Sequence, residues 1–398
     1  MAAAPLTVEE LPESAAGDIG QLADLVFHEH NDEPGHARFL RLLGDPTRRF
    51  GARDEGALVG SVSAFGYDLS IPGGELPCAG VAFVGVAPTH RRRGLLSALM
   101  GRLLQDAVAL GQPLAALYAA EGAIYGRYGF GVAVRAVDLE LGAVAPLALR
   151  VAPDERPVRF VALDDAAGVL GPIHGRWRAR RPGMPSRTPA WWRDEVLRPE
   201  VPQADPGLGP VRIVALADAG YAIYRSREGL IQVEELVGDA PAVEAALWRW
   251  LASVDLVDVV RAENRPVDDP LPRMLLTGDD GAPATRLYDT LWVRLLDLPA
   301  ALAQRSWATD VDLAVEVADA VLPANAGTWR IRPAACERTD ATADLALDVR
   351  DLGAVYLGGI TVASLAEAGV VRERTQGAVD TLDAALRVAH APLCPEHF

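Results

Sequence analysis

The stretch Val81–Met100 reads VAFVGVAPTHRRRGLLSALM: an apolar run, a turn at Pro88, three consecutive arginines, a glycine and a pattern with helical amphipathicity. Where a strand feeds a helix, the first helical N–H groups lack partners and the helix dipole presents its positive end. Such a junction holds an anion, most naturally a pyrophosphate. Gly94 lets the backbone come close to a bound group, and Arg91, Arg92 and Arg93 add charge. A solvated basic helix start would explain RRRG alone; its place after the strand FVGV favours the anion. Further on, Glu121–Gly131 reads EGAIYGRYGFG. The spacing Gly126-x-x-Gly129-x-Gly131 has the wrong glycine order for a dinucleotide loop, and no βαβ unit surrounds it. His28 and His30 point to different faces of a helix, neither HExxH nor a clustered Cys/His/Asp set occurs, and no metal site is expected.

The elements that must position these residues follow from periodicity. Residues 17–43 look helical, Val59–Asp68 and Glu75–Val86 read as strands joined by a hairpin at Gly73-Gly74, and Arg92–Leu110 has helical spacing. A strand at Leu114–Tyr118, a short helix and a strand near Val132–Leu141 complete an α/β domain over residues 1–150 with a mixed sheet. After an Ala/Pro-rich joint, residues 151–296 repeat this order in outline: helices at 165–179 and 190–198, strands at 211–217, 220–225 and 230–237, and a helix at 240–253. No matching glycine-arginine loop appears there, so a second active copy is not expected. Residues 297–398 form a differently ordered last unit, with strands near 311–319, 327–332 and 343–349 and helices near 350–357, 361–367 and 376–388. The tail APLCPEHF follows, stiffened by Pro392 and Pro395. Trp191, Trp192, Trp248 and Trp250 read as packing residues, and Tyr118 as core.

Composition narrows the function classes. The 38 basic and 54 acidic residues give a formal charge of −16, which disfavours nucleic acid and favours cationic small molecules. Half the residues are hydrophobic, ample for packed cores. The N-terminus has no basic segment followed by an apolar one, and no run approaches the ~20 apolar residues of a membrane span. A soluble, cytoplasmic protein without membrane partners is expected. Cys78, Cys336 and Cys394 are far apart, without CxxC spacing, and support neither a disulfide framework nor a thiolate metal site.

Arg91-Arg92-Arg93-Gly94-Leu95-Leu96 resembles the acyl-CoA loop of the GNAT superfamily of N-acetyltransferases, departing only at Leu96, where Gly or Ala is usual. The longer string VAPTHRRRGLL, with EGAIYGRYGFG, resembles one subgroup, the Eis-type (enhanced intracellular survival) aminoglycoside acetyltransferases. LDVRDLGAVYLGG (Leu347–Gly359) is similar to that family's third domain, so the resemblance covers the whole chain. It implies an α/β fold class of α+β mixed sheets: two tandem GNAT-like domains, the second degenerate, followed by a sterol-carrier-protein-like domain.

By the same resemblance, acetyl-CoA is the co-substrate, held by Val84, Gly85 and Val86, by Arg92, Arg93, Gly94, Leu95, Leu96 and Ser97, and by Ala120 and Glu121. Tyr125 is the implied general acid that protonates the departing thiolate, a phenol near pKa ~10 being matched to a thiol near ~8.5; Tyr128 is read as packing. The α-carboxylate of Phe398, delivered by the third domain, is the implied general base. Glu29, Asp32, Glu33 and Phe39 are candidates for the acceptor pocket, although a solvated acidic helix face explains the carboxylates equally. His397 stands where such enzymes can carry an acidic residue, which leaves the acceptor open. The implied activity is acetylation of primary amines on a polycationic acceptor, an aminoglycoside or a lysine side chain, by a homohexamer, with lipid carriage by the third domain ranked low. The alternative is a non-catalytic acyl-CoA sensor or a lipid- or partner-binding scaffold.

Overall fold

The computed structural model describes residues 6–28, 48–142, 147–198, 207–276 and 284–398. They fall into two compact units: one takes in the described residues up to Val134 with Thr290–Ala389 and Glu396–Phe398, the other Arg135–Asp289 with His390–Pro395.

The first unit holds a seven-stranded sheet in the order Glu9–Glu10, Arg48–Asp54, Ala57–Ile71, Gly74–Val86, Leu114–Tyr118, Leu291–Leu295, Gly131–Val132. The hairpin forms where expected, Ile71 opposing Gly74, because Pro72 fixes one backbone angle and Gly73 adopts a φ of +90°. Its one parallel pairing, Gly74–Val86 with Leu114–Tyr118, is made across the Leu95–Ala109 helix, whose Leu95, Leu99 and Leu103 stripe is buried against the sheet. The expected 17–43 helix is Ala16–Phe27 within the described residues.

The expected strand Val132–Leu141 divides between sheets. Gly131–Val132 stays in the first, whereas Arg135–Gly142 pairs with Val257–Pro266 and Ala284–Asp289 in the second unit. The first sheet's place between Leu114–Tyr118 and Gly131–Val132 is filled by Leu291–Leu295. No strand was expected anywhere in residues 254–296, so the segments that complete both sheets are those missed by the sequence reading.

The second unit's sheet runs Ala284–Asp289, Arg135–Gly142, Val257–Pro266, Gly229–Gly238, Gly220–Arg227, Arg212–Leu216, Arg159–Phe160. It too has one parallel pair, Gly229–Gly238 with Val257–Pro266, and helices Leu163–Arg178 and Pro241–Ala252 contribute to separate cores. Trp248 and Trp192 are buried in them. Where the first domain places arginines ahead of its helix, this one has Asp239, whose carboxylate accepts hydrogen bonds from Arg176 at 3.0 and 2.6 Å. An internal ion pair thus occupies the junction where the first domain has arginines with no ion pair among the described residues.

A five-stranded sheet completes the first unit, in the order Ala335–Arg338, Gly327–Arg332, Leu313–Ala318, Leu345–Asp348, Arg372–Glu373. Its helix Val349–Tyr356 starts at a capping box made by Asp348 and Asp351. That helix lies on the first sheet so closely that a Cβ on Gly353 would stand 2.3 Å from the Val293 carbonyl oxygen.

Candidate active site

Two strands of the first sheet open into a fork. Gly74–Val86 and Leu114–Tyr118 pair from Cys78/Leu114 to Val81/Leu117, and among the described residues no pairing between them continues beyond that point. A bulge in Gly74–Val86 accompanies the opening: Phe83 has a φ of +50°, the register against Ala57–Ile71 shifts between Ser61 and Ser63, and the Ser61 hydroxyl donates to the Phe83 carbonyl at 3.2 Å. Val84, Gly85 and Val86 therefore retain a strand on one side and leave the other as an edge for an extended ligand. An added Cβ on Gly85 would meet Val26 at 3.4 Å, an ordinary contact, so its role is not to relieve crowding.

Immediately after the fork, Ala87–Gly94 turns the chain into the helix. His90 Nε2 lies 2.8 Å from Asp54 and Nδ1 2.9 Å from Thr89, pinning the turn's base. Arg92 and Gly94 both have left-handed backbones, with φ of +62° and +78°. The first N–H of the helix found bonded to Gly94 is that of Ala98, at 3.1 Å, so the N–H groups of Leu95, Leu96 and Ser97 face outward at the positive end of a 15-residue helix. Arg92 and Arg93 are exposed and make no ion pair among the described residues. Leu96, the departure from the usual loop pattern, leans on the core, leaving the backbone as the anion-facing surface.

Past the other arm of the fork, Ala120 and Glu121 are exposed and Gly122–Tyr125 makes a single helical turn. Tyr125 is buried against the core, with 8% exposure. Burial, assisted by the charges of Glu121 and Tyr128, pushes its phenol up to about 12, and its hydroxyl has no hydrogen-bond partner among the described residues. Tyr128 is buried as expected of a packing residue, but its hydroxyl lies 3.1 Å from Ser97 Oγ, tying the tyrosine turn to the loop's helix.

The glycines of this turn answer to the third domain. A Cβ on Gly126 would meet the Arg350 guanidinium at 2.9 Å, and one on Gly131 the Arg350 carbonyl at 2.0 Å. Gly129, with φ +81°, admits the side chain of Arg294. Fully buried Arg294 donates to the Tyr128 carbonyl at 2.5 Å and, through Nη2, to both Asp319 oxygens at 2.9 and 2.8 Å. Burial pulls its guanidinium below the ordinary arginine range, and Asp319 opposes that. Asp319 also accepts from Val321, Leu322 and Asn325, so the buried charge is compensated. The sequence reading missed both residues: Arg294 and Asp319 lie in different elements, and neither sits in a motif.

The chain's last residues belong to the same unit. The Phe398 ring packs edge-on to Tyr67, centroids 5.4 Å apart, and His397 lies against Tyr118 at 4.5 Å. Gly80 lets the Tyr67 ring cross the strand, since a Cβ there would fall 2.3 Å from Tyr67 Cε1. Tyr118, expected as core, is instead half-buried one residue beyond the last position paired with Gly74–Val86, its ring met by His397. Glu29, Asp32, Glu33 and Phe39 lie outside the described residues.

A strand fork, an N–H-rich basic loop at a helix start and a buried tyrosine beyond the opposite arm define an acyl-CoA-dependent N-acetyltransferase of the GNAT class, a fold that implies acetyl-CoA as co-substrate. The chain matches the acetyltransferase (GNAT) domain over residues 7–133, a second GNAT domain description over 183–295, and the sterol carrier protein domain over 298–395. It is 40% identical over 375 residues to an N-acetyltransferase of Streptomyces avermitilis, covering 89% of this chain and 90% of that one. It is 36% identical over 349 residues to N-acetyltransferase Eis of Mycobacterium tuberculosis, covering 85% of each. The crystal structure of Eis1 from Mycobacterium abscessus superposes with a TM-score of 0.85 at 30% identity, covering 98% of this chain and 100% of that one. The chain belongs to the Eis-type N-acetyltransferases of the GNAT superfamily.

Proposed function

We propose that this enzyme acetylates primary amines of a polycationic acceptor, aminoglycosides being the class to try first, with Tyr125 as general acid and the Phe398 α-carboxylate as general base. The observation that carries the reading is that one unit holds both a buried phenol past one arm of the fork and the chain's last residues, packed on Tyr67 and Tyr118. The edge at Val84–Val86 would hold the pantetheine arm by main-chain hydrogen bonds, and the outward N–H groups of Leu95–Ser97, with Arg92 and Arg93, would hold the pyrophosphate. Ala120 and Glu121, exposed past the other arm of the fork, would contact the same ligand.

The Phe398 carboxylate takes the proton of the attacking amine. An α-carboxyl with reference pKa ~3.5 is a weak base, so a desolvated setting or a bridging water must assist it. Strand N–H groups polarise the thioester carbonyl as charge develops on its oxygen. Tyr125 then donates its proton to the departing sulfur; a phenol held near 12 is fully protonated at neutral pH but a weaker acid than a free phenol, so the transfer must be concerted with C–S cleavage as charge builds on sulfur. The net charge of −16 draws cations to the surface. A homohexamer is proposed from the family resemblance alone, with sedimentation of the native chain as its check.

Thiol release from acetyl-CoA, measured with a panel of aminoglycosides and lysine-containing peptides, tests the reading. The native chain is compared with one lacking Phe398 and one extended past it. Turnover that collapses in both altered chains while acetyl-CoA still binds is the expected result. Undiminished turnover would remove Phe398 from the mechanism, and acetyl-CoA binding without thiol release for any amine would favour a sensor.

A further inference from the structure

In the second unit the two parallel strands also part. Gly229–Gly238 and Val257–Pro266 pair as far as Val233/Ala262, and no pairing between them is found past that point among the described residues. At the corresponding place the first domain would take its acyl-CoA, but this opening is differently furnished. The helix start carries Asp239, already paired with Arg176, instead of arginines with no ion pair among the described residues, and the Arg265 guanidinium donates across the gap to the Leu236 carbonyl at 2.7 Å.

Residues of the C-terminal tail are held there. The Asn264 side-chain amide, two positions beyond the last pairing, donates to the Cys394 carbonyl at 2.9 Å. Asp268 accepts from the Ala391 N–H at 2.9 Å and from Arg181 at 2.7 Å, while Arg181 also donates to the Ala391 carbonyl. The Leu393 N–H donates to the Pro182 carbonyl at 2.9 Å. The Leu393 side chain, 1% exposed, is packed in the core with Tyr221, Ile223 and Val237. Asn264 keeps a φ of +53°, a backbone that asparagine tolerates better than most residues. The tail is thus bound by main-chain and side-chain groups at Ala391, Leu393 and Cys394, as a peptide ligand is bound.

We infer that the degenerate GNAT-like domain is a clamp for the C-terminal tail, and that Asn264 and Asp268 are positioning residues for the reaction through it. The catalytic part of this inference rests on the Phe398 carboxylate acting as base. With Cys394 held, only four residues separate the hold from the terminus, an arm no longer than ~14 Å. Released, its arm begins at Ala389, the last earlier residue of the first unit, and is about nine residues long. Effective concentration falls as the −3/2 power of arm length, roughly threefold here, before any loss of orientation.

The test uses the full-length enzyme carrying Asn264→Gly with Asp268→Ala. Glycine keeps the left-handed backbone and its N–H bonds to Asp138 and Tyr288 and deletes only the amide; Asp268→Asn, which retains an acceptor for Ala391, serves as the conservative control. Carboxypeptidase release of Phe398 from the native protein is followed alongside kcat, acetyl-CoA Kd and the melting profile. Expected are release at least tenfold faster, kcat lower by about three- to tenfold and an unchanged Kd, with Asp268→Asn close to wild type. Unaltered release in the double variant overturns the clamp, whatever the activity. Faster release with unaltered kcat upholds the clamp and sinks the Phe398 base, so the two readings fail separately.

Discussion

At the scale of single residues, the site divides into groups that would exchange protons and groups that hold them still. Tyr125→Phe deletes a hydroxyl whose proposed work is proton donation, so thiol release should drop ~100-fold or more while acetyl-CoA Kd is preserved; equal loss of both would mean a damaged fold. Because burial raises this phenol to about 12, ionisation of the acid should impose no falling limb on kcat below about pH 10. A kcat profile that declines through pH 9 and becomes flat in another variant would assign the decline to that other group. The loop and the tyrosine turn were legible in the sequence because each is contiguous: strand, arginines and glycine lie within Val81–Met100, and the tyrosines within eleven residues of one another's glycines. Arg294 and Asp319 were not, since a buried ion pair between distant elements leaves no local periodicity. Breaking it by Arg294→Ala should cost ~3–5 kcal/mol, by stranding the Asp319 charge; urea unfolding of the two single variants and the double variant would expose the coupling.

At the scale of elements, glycines that resemble a ligand loop turn out to be clearances for a helix. Gly131→Ala would push a methyl group into the Arg350 carbonyl, and the expected outcome is loss of folded protein or a melting midpoint lower by several degrees, without a specific defect in acetyl-CoA affinity. A variant as stable as wild type but weak in acetyl-CoA binding would instead make this turn a ligand loop. Hairpin and helix positions were readable because period-two and 3.6-residue patterns are strong in Val59–Val86 and Leu95–Ala109. The segment VVRAENRP failed for the opposite reason. In Val257–Pro266 the polar residues Arg261, Asn264 and Arg265 interrupt the alternation because they serve partners elsewhere in the unit: Arg261 pairs with Glu140, Asn264 holds the tail and Arg265 is paired with Asp269. Tertiary demands overrode the local pattern.

At the scale of the whole molecule, no helix among the described residues is long and apolar enough to cross a membrane. Stability should respond to pH through Glu244, half-buried as a residue but with one buried carboxylate oxygen unpartnered among the described residues. Burial raises it from 4.5 to about 7, Arg265 opposing and Asp269 adding. Between those values the unfolded chain has released the proton and the folded chain retains it, so stability falls as pH rises through the window, by up to ~3 kcal/mol. Glu244→Gln should therefore flatten the difference in urea unfolding between pH 5 and pH 8; an undiminished difference would place the titration elsewhere. The exchange of strands between sheets has a consequence for synthesis. The strand Leu291–Leu295, which sits between Leu114–Tyr118 and Gly131–Val132 in the first sheet, leaves the ribosome only after Arg135–Asp289 of the second unit, a delay of ~10–30 s at ordinary translation rates. Throughout that interval the nascent N-terminal half has an unfilled seam beside Leu114–Tyr118, open to any passing strand. A gene fragment cut near residue 150 would keep that seam permanently, and the expected outcome of expressing it is aggregated protein, which a soluble yield equal to the full chain's would contradict.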